Sequence, residues 1–182
     1  MLVDNEVQIP TGLPTLPRMG VLLSTPAGFE TLDWLGRGPH ESYWDRQAGA
    51  PVGRYQGTVS GQFVPYILPQ EHGNLTDVRW LSVAQHGGPR LLVVARGLLE
   101  AGASHYTPAD LYAAKHTHEL RPRAETILTV DWHQRGLGTA SCGPDTLPGY
   151  TLGAGGYRFA FWLRPCAAAD DPGTLARQLP LG

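Results

Sequence analysis

Chemistry in this chain would have to come from a few polar clusters. Glu41, Asp45, Glu71, Asp77 and Glu119 stand in polar, Gly/Pro-rich surroundings. Two carboxyls facing each other across a cleft, one protonated and one ionised, are what hydrolysis of a glycosidic bond requires. Arginines stand close by, Arg37 and Arg46 around Glu41 and Arg79 after Asp77, and carboxylates so placed in loops usually serve to close buried polar networks. His116-Thr117-His118-Glu119 puts two imidazoles at alternate positions, which project to the same side if the segment is a strand. A zinc centre needs three or four ligands and a supporting shell, so no metal is expected on that spacing alone. Ser141-Cys142-Gly143 lacks the Gly-x-Ser-x-Gly elbow, and His133 upstream has no orienting acid that the sequence identifies. Trp34, Tyr43, Trp44 and Tyr66 are of the type on which sugars stack, but large aromatics in a β-sandwich are more often core. Gly153-Ala154-Gly155-Gly156 precedes a strand rather than a helix, which marks a tight turn and not a phosphate cradle.

The elements that must position these residues are short and extended. The chain has 182 residues with 23 glycines and 16 prolines, so turns are frequent and an all-β fold in one domain is favoured. Strands are expected at Arg18–Leu23, Phe29–Leu35, Val52–Val59, Phe63–Leu68, Asp77–Val83, Arg90–Arg96, His116–Leu120, Thr126–His133 and Tyr157–Leu163, most with period-two alternation. The first two flank Pro26-Ala27-Gly28 and read as a hairpin, and nine or more strands suggest a sandwich. In the last, Tyr157, Phe159, Phe161 and Leu163 form one row, while Ile127 and Leu128 predict a strand covered on both sides. Thr107-Pro108-Ala109-Asp110 carries the start signal of a helix running from Pro108 to about Lys115.

Residues 1–15, with Pro10 and Pro14, read as a lead-in, and residues 16–182 as the folded domain. The formal net charge of −2, with scattered arginines and the single Lys115, offers no basic track for nucleic acid. No apolar run is long enough to span a bilayer, so no membrane partner is expected. Cys142 and Cys166 match neither a disulfide framework nor a zinc knuckle, and a cytoplasmic setting is the default expectation.

Several long motifs occur in one order. They are Leu16-Pro17-Arg18-Met19-Gly20, Trp34 through Arg46 (with Gly36-Arg37-Gly38-Pro39-His40-Glu41 and Asp45), and Val64-Pro65-Tyr66-Ile67-Leu68-Pro69-Gln70-Glu71-His72-Gly73-Asn74. Asp77-Val78-Arg79-Trp80, His116-Thr117-His118-Glu119-Leu120 and Gly136-Leu137-Gly138-Thr139-Ala140-Ser141-Cys142-Gly143-Pro144 follow. Over about Leu16 to Pro165 the chain closely resembles the C-terminal small domain of family 2 glycoside hydrolases of the β-galactosidase type. The resemblance implies a twisted antiparallel super-sandwich of galactose mutarotase-like fold, the last domain of a longer, cytoplasmic, usually oligomeric enzyme. It further implies that the catalytic glutamates and the Mg and Na sites lie on a (β/α) barrel partner, with no catalytic residue and no cofactor in this domain.

What such a domain contributes is one loop at the rim of a β-galactoside pocket, matched here by Cys142-Gly143-Pro144-Asp145-Thr146-Leu147-Pro148. That loop lacks the tryptophan on which the sugar stacks in the best-studied branch, and Thr146 or Leu147 would supply a smaller contact. Arg37, Gly38, Pro39, Glu41, Asp45, Arg46, Gln70, Glu71 and Asn74 read as a structural network, and Leu75 stands where the common family form carries an arginine. Two other classes stay open. One is a free-standing aldose 1-epimerase-like enzyme using His105 or His116 with Glu119 or Glu71. The other is a carbohydrate-binding module without chemistry.

Overall fold

A computed structural model describes residues 1–138 and 143–180. Eight strands build it: β1 (Leu2–Ile9), β2 (Arg18–Thr25), β3 (Phe29–Arg37), β4 (Val52–Thr58), β5 (Leu75–Gln85), β6 (Arg90–Ser104), β7 (Thr126–Gln134) and β8 (Gly155–Cys166). Two short helices, α1 (Pro108–Ala113) and α2 (Pro172–Arg177), lie among them. All pairings are antiparallel, in the order β1-β8-β6-β5-β3-β4, with β7 branching from β6 and β2 from β7.

The branch point makes the sandwich. Arg90–Arg96 of β6 pairs with β8, while Glu100–Ser104 pairs with β7, and Gly97 at φ +94° lies between the two halves. The neighbouring β5 bends at the same level: its register to β6 shifts on either side of Val78, next to Asp77 at φ +52°. Asp77 holds that conformation by accepting from Arg37 Nε at 2.7 Å on its carboxylate and from Arg79 Nη1 at 2.5 Å on its carbonyl. The two wings, β8–β1 and β7–β2, then close over Met19, Val93, Leu99, Val130, Phe159 and Phe161. Leu32, Trp34, Leu75, Leu81 and Leu128 fill a second core between β3, β5 and β7. A third, around Trp80, Leu92 and Val94, is covered by Ala176 and Leu175 of α2.

Side-chain alternation explains most of this. Tyr157, Phe159, Phe161 and Leu163 share the inner core, whereas Trp162 on the opposite face packs towards α2. Ile127 and Leu128 are both buried, so β7 is covered on both faces. The helix start at Thr107 forms a capping box with Asp110, although α1 ends at Ala113, two residues short of the expected Lys115.

Several expectations are corrected. Leu2–Ile9, within the segment read as a lead-in, is an edge strand running from Leu2 opposite Trp162 to Ile9 opposite Gly155. Its inward row is Val3, Asn5, Val7 and Ile9, and Asn5 breaks the apolar alternation that would have revealed it. β2 and β3 do not form a hairpin, because β2 pairs with β7 while β3 pairs with β4 and β5. Pro26-Ala27-Gly28 instead carries the chain from the β7–β2 wing to β3, between β4 and β5. Phe63–Leu68 is loop rather than strand, since Pro65 and Pro69 cannot donate to a ladder. His116–Leu120 contains a 3-10 turn, Thr117–Glu119, stabilised where the Glu119 carboxylate accepts the Lys115 N–H at 2.7 Å. With those two segments lost and β1 gained, the strands among the described residues number eight instead of nine or more.

Candidate functional site: a cleft over a buried polar network

At one end of the sandwich the 41–46 turn, the 66–71 loop and residues 137–138 and 145–150 border an open cleft of about 950 Å³. Behind its lining residue Glu71 lies a buried polar network, called the floor below. Glu100, 1% exposed, receives His133 Nδ1 at 2.8 Å on one carboxylate oxygen. Its other oxygen receives Asn74 Nδ2 at 2.8 Å and the Gln134 backbone N–H at 3.1 Å. Asn74 also donates to the Ser42 carbonyl at 3.0 Å and accepts from Gln134 Nε2 at 3.0 Å, so four segments meet on one amide.

Arg18 joins this floor to the cleft. It donates to Asp131 from Nε at 3.2 Å and Nη2 at 2.8 Å, and reaches Glu71 at 3.5 Å. Burial pushes the Asp131 carboxyl up to about 7, despite Arg18, and the nearby charges of Glu100 and Glu71 add to the shift. A carboxyl with so high a value is the kind a general acid needs, but Asp131 is a buried floor group and does not line the cleft.

The walls are tied by charged hydrogen bonds. Glu41 accepts from Arg46 and the Tyr66 hydroxyl on one oxygen and from the Gly73 N–H at 2.8 Å on the other, joining the 41–46 turn to two later segments. Burial and the bond to Glu41 push the Tyr66 phenol above its ordinary value, so it stays a donor. Asp45 accepts the backbone N–H groups of Leu137 at 3.2 Å and Gly138 at 2.6 Å, anchoring the start of the rim loop. Gly136 lets Asp45 come so close, since a Cβ there would meet the Asp45 carboxyl carbon at 2.6 Å. Farther along, Arg135 pairs with Asp145, and the Thr146 N–H together with Arg135 holds that carboxyl below the usual range.

The residues singled out by sequence separate into three groups. Asp45, Arg46, Gln70, Glu71, Asp145 and Leu147 line the cleft. Glu41 and Asn74 support it from behind, as above. Arg37, Gly38 and Pro39 lie at the end of β3: Arg37 bonds Asp77 and the Ala50 carbonyl, and buried Gly38 presses against the Tyr55 ring, where a Cβ would stand 2.7 Å away. In the rim loop, Gly143 and Pro144 are exposed, and Cys142 lies outside the described residues. Thr146 is buried and its hydroxyl donates to the Gly136 carbonyl at 2.9 Å, which leaves exposed Leu147 as the side chain presented to the cleft. Leu75 is fully buried in the apolar core, a position where an arginine head would need a partner.

Of the aromatics weighed as sugar platforms, Trp34 and Tyr43 are core and Tyr66 lines the cleft. Trp44 is half-buried, stacked on His133 at 4.4 Å with the edge of Tyr150 5.5 Å away. Arg18, Glu100, Asp131, Gln134 and Tyr150 are the site residues that sequence reasoning missed. For Arg18, Asp131 and Gln134 the signal was polarity near a strand end, for Glu100 a lone charge inside the apolar run of β6, and Tyr150, in a 3-10 turn, carried none. Of the epimerase candidates, His116 does meet Glu119, at 3.0 Å, but on an exposed turn whose residues do not line the cleft, whereas His105 pairs with Glu30 at 2.7 Å and neither histidine meets Glu71.

A family model for the beta galactosidase small chain matches residues 1–163. The beta-galactosidase of Priestia megaterium is 36% identical over 167 residues, covering 91% of this chain and 16% of that protein. That of Vibrio cholerae is 35% identical over 170 residues, 93% of this chain and 16% of the other, and that of Staphylococcus xylosus 30% identical over 151 residues, 83% and 15%. The chain thus spans about 16% of the length of the first two. With a sandwich of the expected class and a match across most of its length, the chain belongs to the beta galactosidase small chain family.

Proposed function

We propose that this chain is the non-catalytic, rim-forming part of a β-galactosidase of the family 2 glycoside hydrolase type that hydrolyses terminal β-D-galactosides with retention. The bond-breaking carboxyls, with the Mg and Na of that family, belong to a barrel domain outside these residues. One observation carries the reading: every carboxylate lining the cleft is already engaged, Asp45 by two backbone N–H groups, Glu71 by Arg18 and Gln134, Asp145 by Arg135 and Thr146. Groups so held orient loops and offer hydrogen bonds to sugar hydroxyls. They are poor candidates for carrying a proton to a glycosidic oxygen.

The cleft is open rather than closed, and its rim is apolar where a partner would press. Ile67 is 95% exposed, with Leu68, Leu147 and Leu137 exposed alongside in the two bordering loops. Leaving such side chains in water is unfavourable, and a catalytic domain seated on this end would cover them while completing the pocket. A mutarotase-like scaffold, a cytoplasmic setting and an oligomeric parent belong to the same reading.

A chimera tests it. With this chain in place of the matching portion of the Priestia megaterium beta-galactosidase, hydrolysis of a chromogenic β-galactoside is expected well above that of the enzyme lacking the portion. A chimera no more active than the deletion would overturn the proposal.

A further inference from the structure

We infer that His116, His118 and Glu119 form a surface site for one divalent transition cation of borderline softness, Zn²⁺, Ni²⁺ or Cu²⁺, on the turn between α1 and β7. One ligand atom from each lies within 4.8 Å of the others, and none of the three lines the cleft. The 3-10 turn explains the convergence. With three residues per turn, side chains at i and i+3 eclipse, which sets Glu119 against His116. The His118 ring stacks on that of His116 at 5.3 Å between centroids and 16° between planes. An extended strand would have brought the two imidazoles to one face but left Glu119 on the other. The turn supplies the third ligand from within the motif.

The donor set is prepared for a cation. Bonds from the His116 ring and from the Lys115 and His116 backbone N–H groups lower the Glu119 carboxyl to about 2, so it is ionised at neutral pH. Those backbone bonds, at 2.7 and 3.3 Å, fix the carboxylate much as an outer shell orients a metal ligand. The His116 side chain is 67% exposed and held only by Glu119 and the His118 ring, the two other members of the site, and the Lys115 ammonium lies over the Tyr112 ring at 5.5 Å from its centroid. Ligands about 2.0–2.2 Å from one tetrahedral ion stand about 3.3 Å apart, so the rings must rotate out of their near-parallel stack by a modest amount. Two imidazoles and one carboxylate favour zinc, nickel or copper over calcium or magnesium, and three protein ligands leave a position open to water.

Calorimetric titration of the 182-residue chain with Zn²⁺ at pH 7.5 is expected to show one equivalent bound at about 10 µM or tighter. His118→Ala removes a ligand whose ring makes no hydrogen bond to the turn, and should weaken binding at least tenfold with the circular dichroism spectrum unchanged. His86→Ala, on a separate turn, should leave affinity as it was. Lowering the pH to 5.5 should weaken binding as the imidazoles protonate. Binding weaker than about 1 mM, or binding that His118→Ala leaves intact, as metal held by the cysteines would be, overturns the inference.

Discussion

The floor and the rim of the cleft are built on opposite terms. Glu100, Asn74, Asp131 and Gln134 in the floor are all buried and connected. The rim presents exposed Leu137, Asp145 and Leu147, held by Asp45 and Arg135 at its base. In the floor, removing one partner strands another away from water, where an unmade hydrogen bond is costly. At the rim, water replaces whatever is lost. The difference fits the floor to holding the two wings in place and, under the proposed function, the rim to meeting a partner, and it sets the order of effects expected from mutation.

The largest effect belongs to Glu100→Ala. It leaves His133 Nδ1 and the Gln134 N–H without their acceptor and Asn74 Nδ2 with only the Ser42 carbonyl, and a loss of about 3–5 kcal/mol in urea unfolding of the chain is expected. A loss below about 1 kcal/mol would break the contrast between floor and rim. Arg18→Met should come next, at about 2–3 kcal/mol at pH 8. The cost should shrink towards pH 5, because Asp131 can take up a proton once its guanidinium partner is gone.

Asp131 itself sharpens the comparison. Its folded value of about 7 lies above the unfolded value near 3.9, so the folded chain binds more protons between them. Its contribution is therefore fully present below about pH 4 and is lost as pH rises through about 7. Subtracting the stability–pH curve of Asp131→Asn from that of the parent chain should give a difference falling over this window. A difference that rises or stays flat would show that Arg18 keeps Asp131 ionised throughout.

Rim changes should be small in stability and visible elsewhere. Asp45→Ala should lower global stability by less than about 1 kcal/mol while accelerating hydrogen exchange at the Leu137 and Gly138 amides it now accepts. Smallest of all, Ile67→Asp should leave the unfolding midpoint of the chain unchanged, yet reduce the hydrolysis recovered in the chimera with a catalytic domain.

How much of this was legible in the sequence divides along the same line. β8 announced itself through Tyr157, Phe159 and Phe161, and α1 through Thr107-Pro108-Ala109-Asp110, because alternation and capping act between near neighbours. The floor was hidden, since Arg18 meets Asp131 across 113 positions and Glu100 meets His133 across 33. Only the pairing of β2 with β7 and of β7 with β6 brings these groups together. β1 was missed for a related reason: its inner row contains Asn5, and its partner β8 lies at the far end of the chain. At the rim the sequence exposed the absent tryptophan, but only the structure buries the Thr146 hydroxyl and leaves Leu147 exposed along the cleft.

The claim at the centre is that chemistry lies outside these residues while the cleft they form borders it. Incubating the purified chain at micromolar concentration with a chromogenic β-galactoside measures this directly. The expected result is release no faster than in a mock preparation. Turnover by the chain alone, reduced by Glu71→Gln or Asp45→Asn, would contradict it by placing the reacting carboxyls in this cleft.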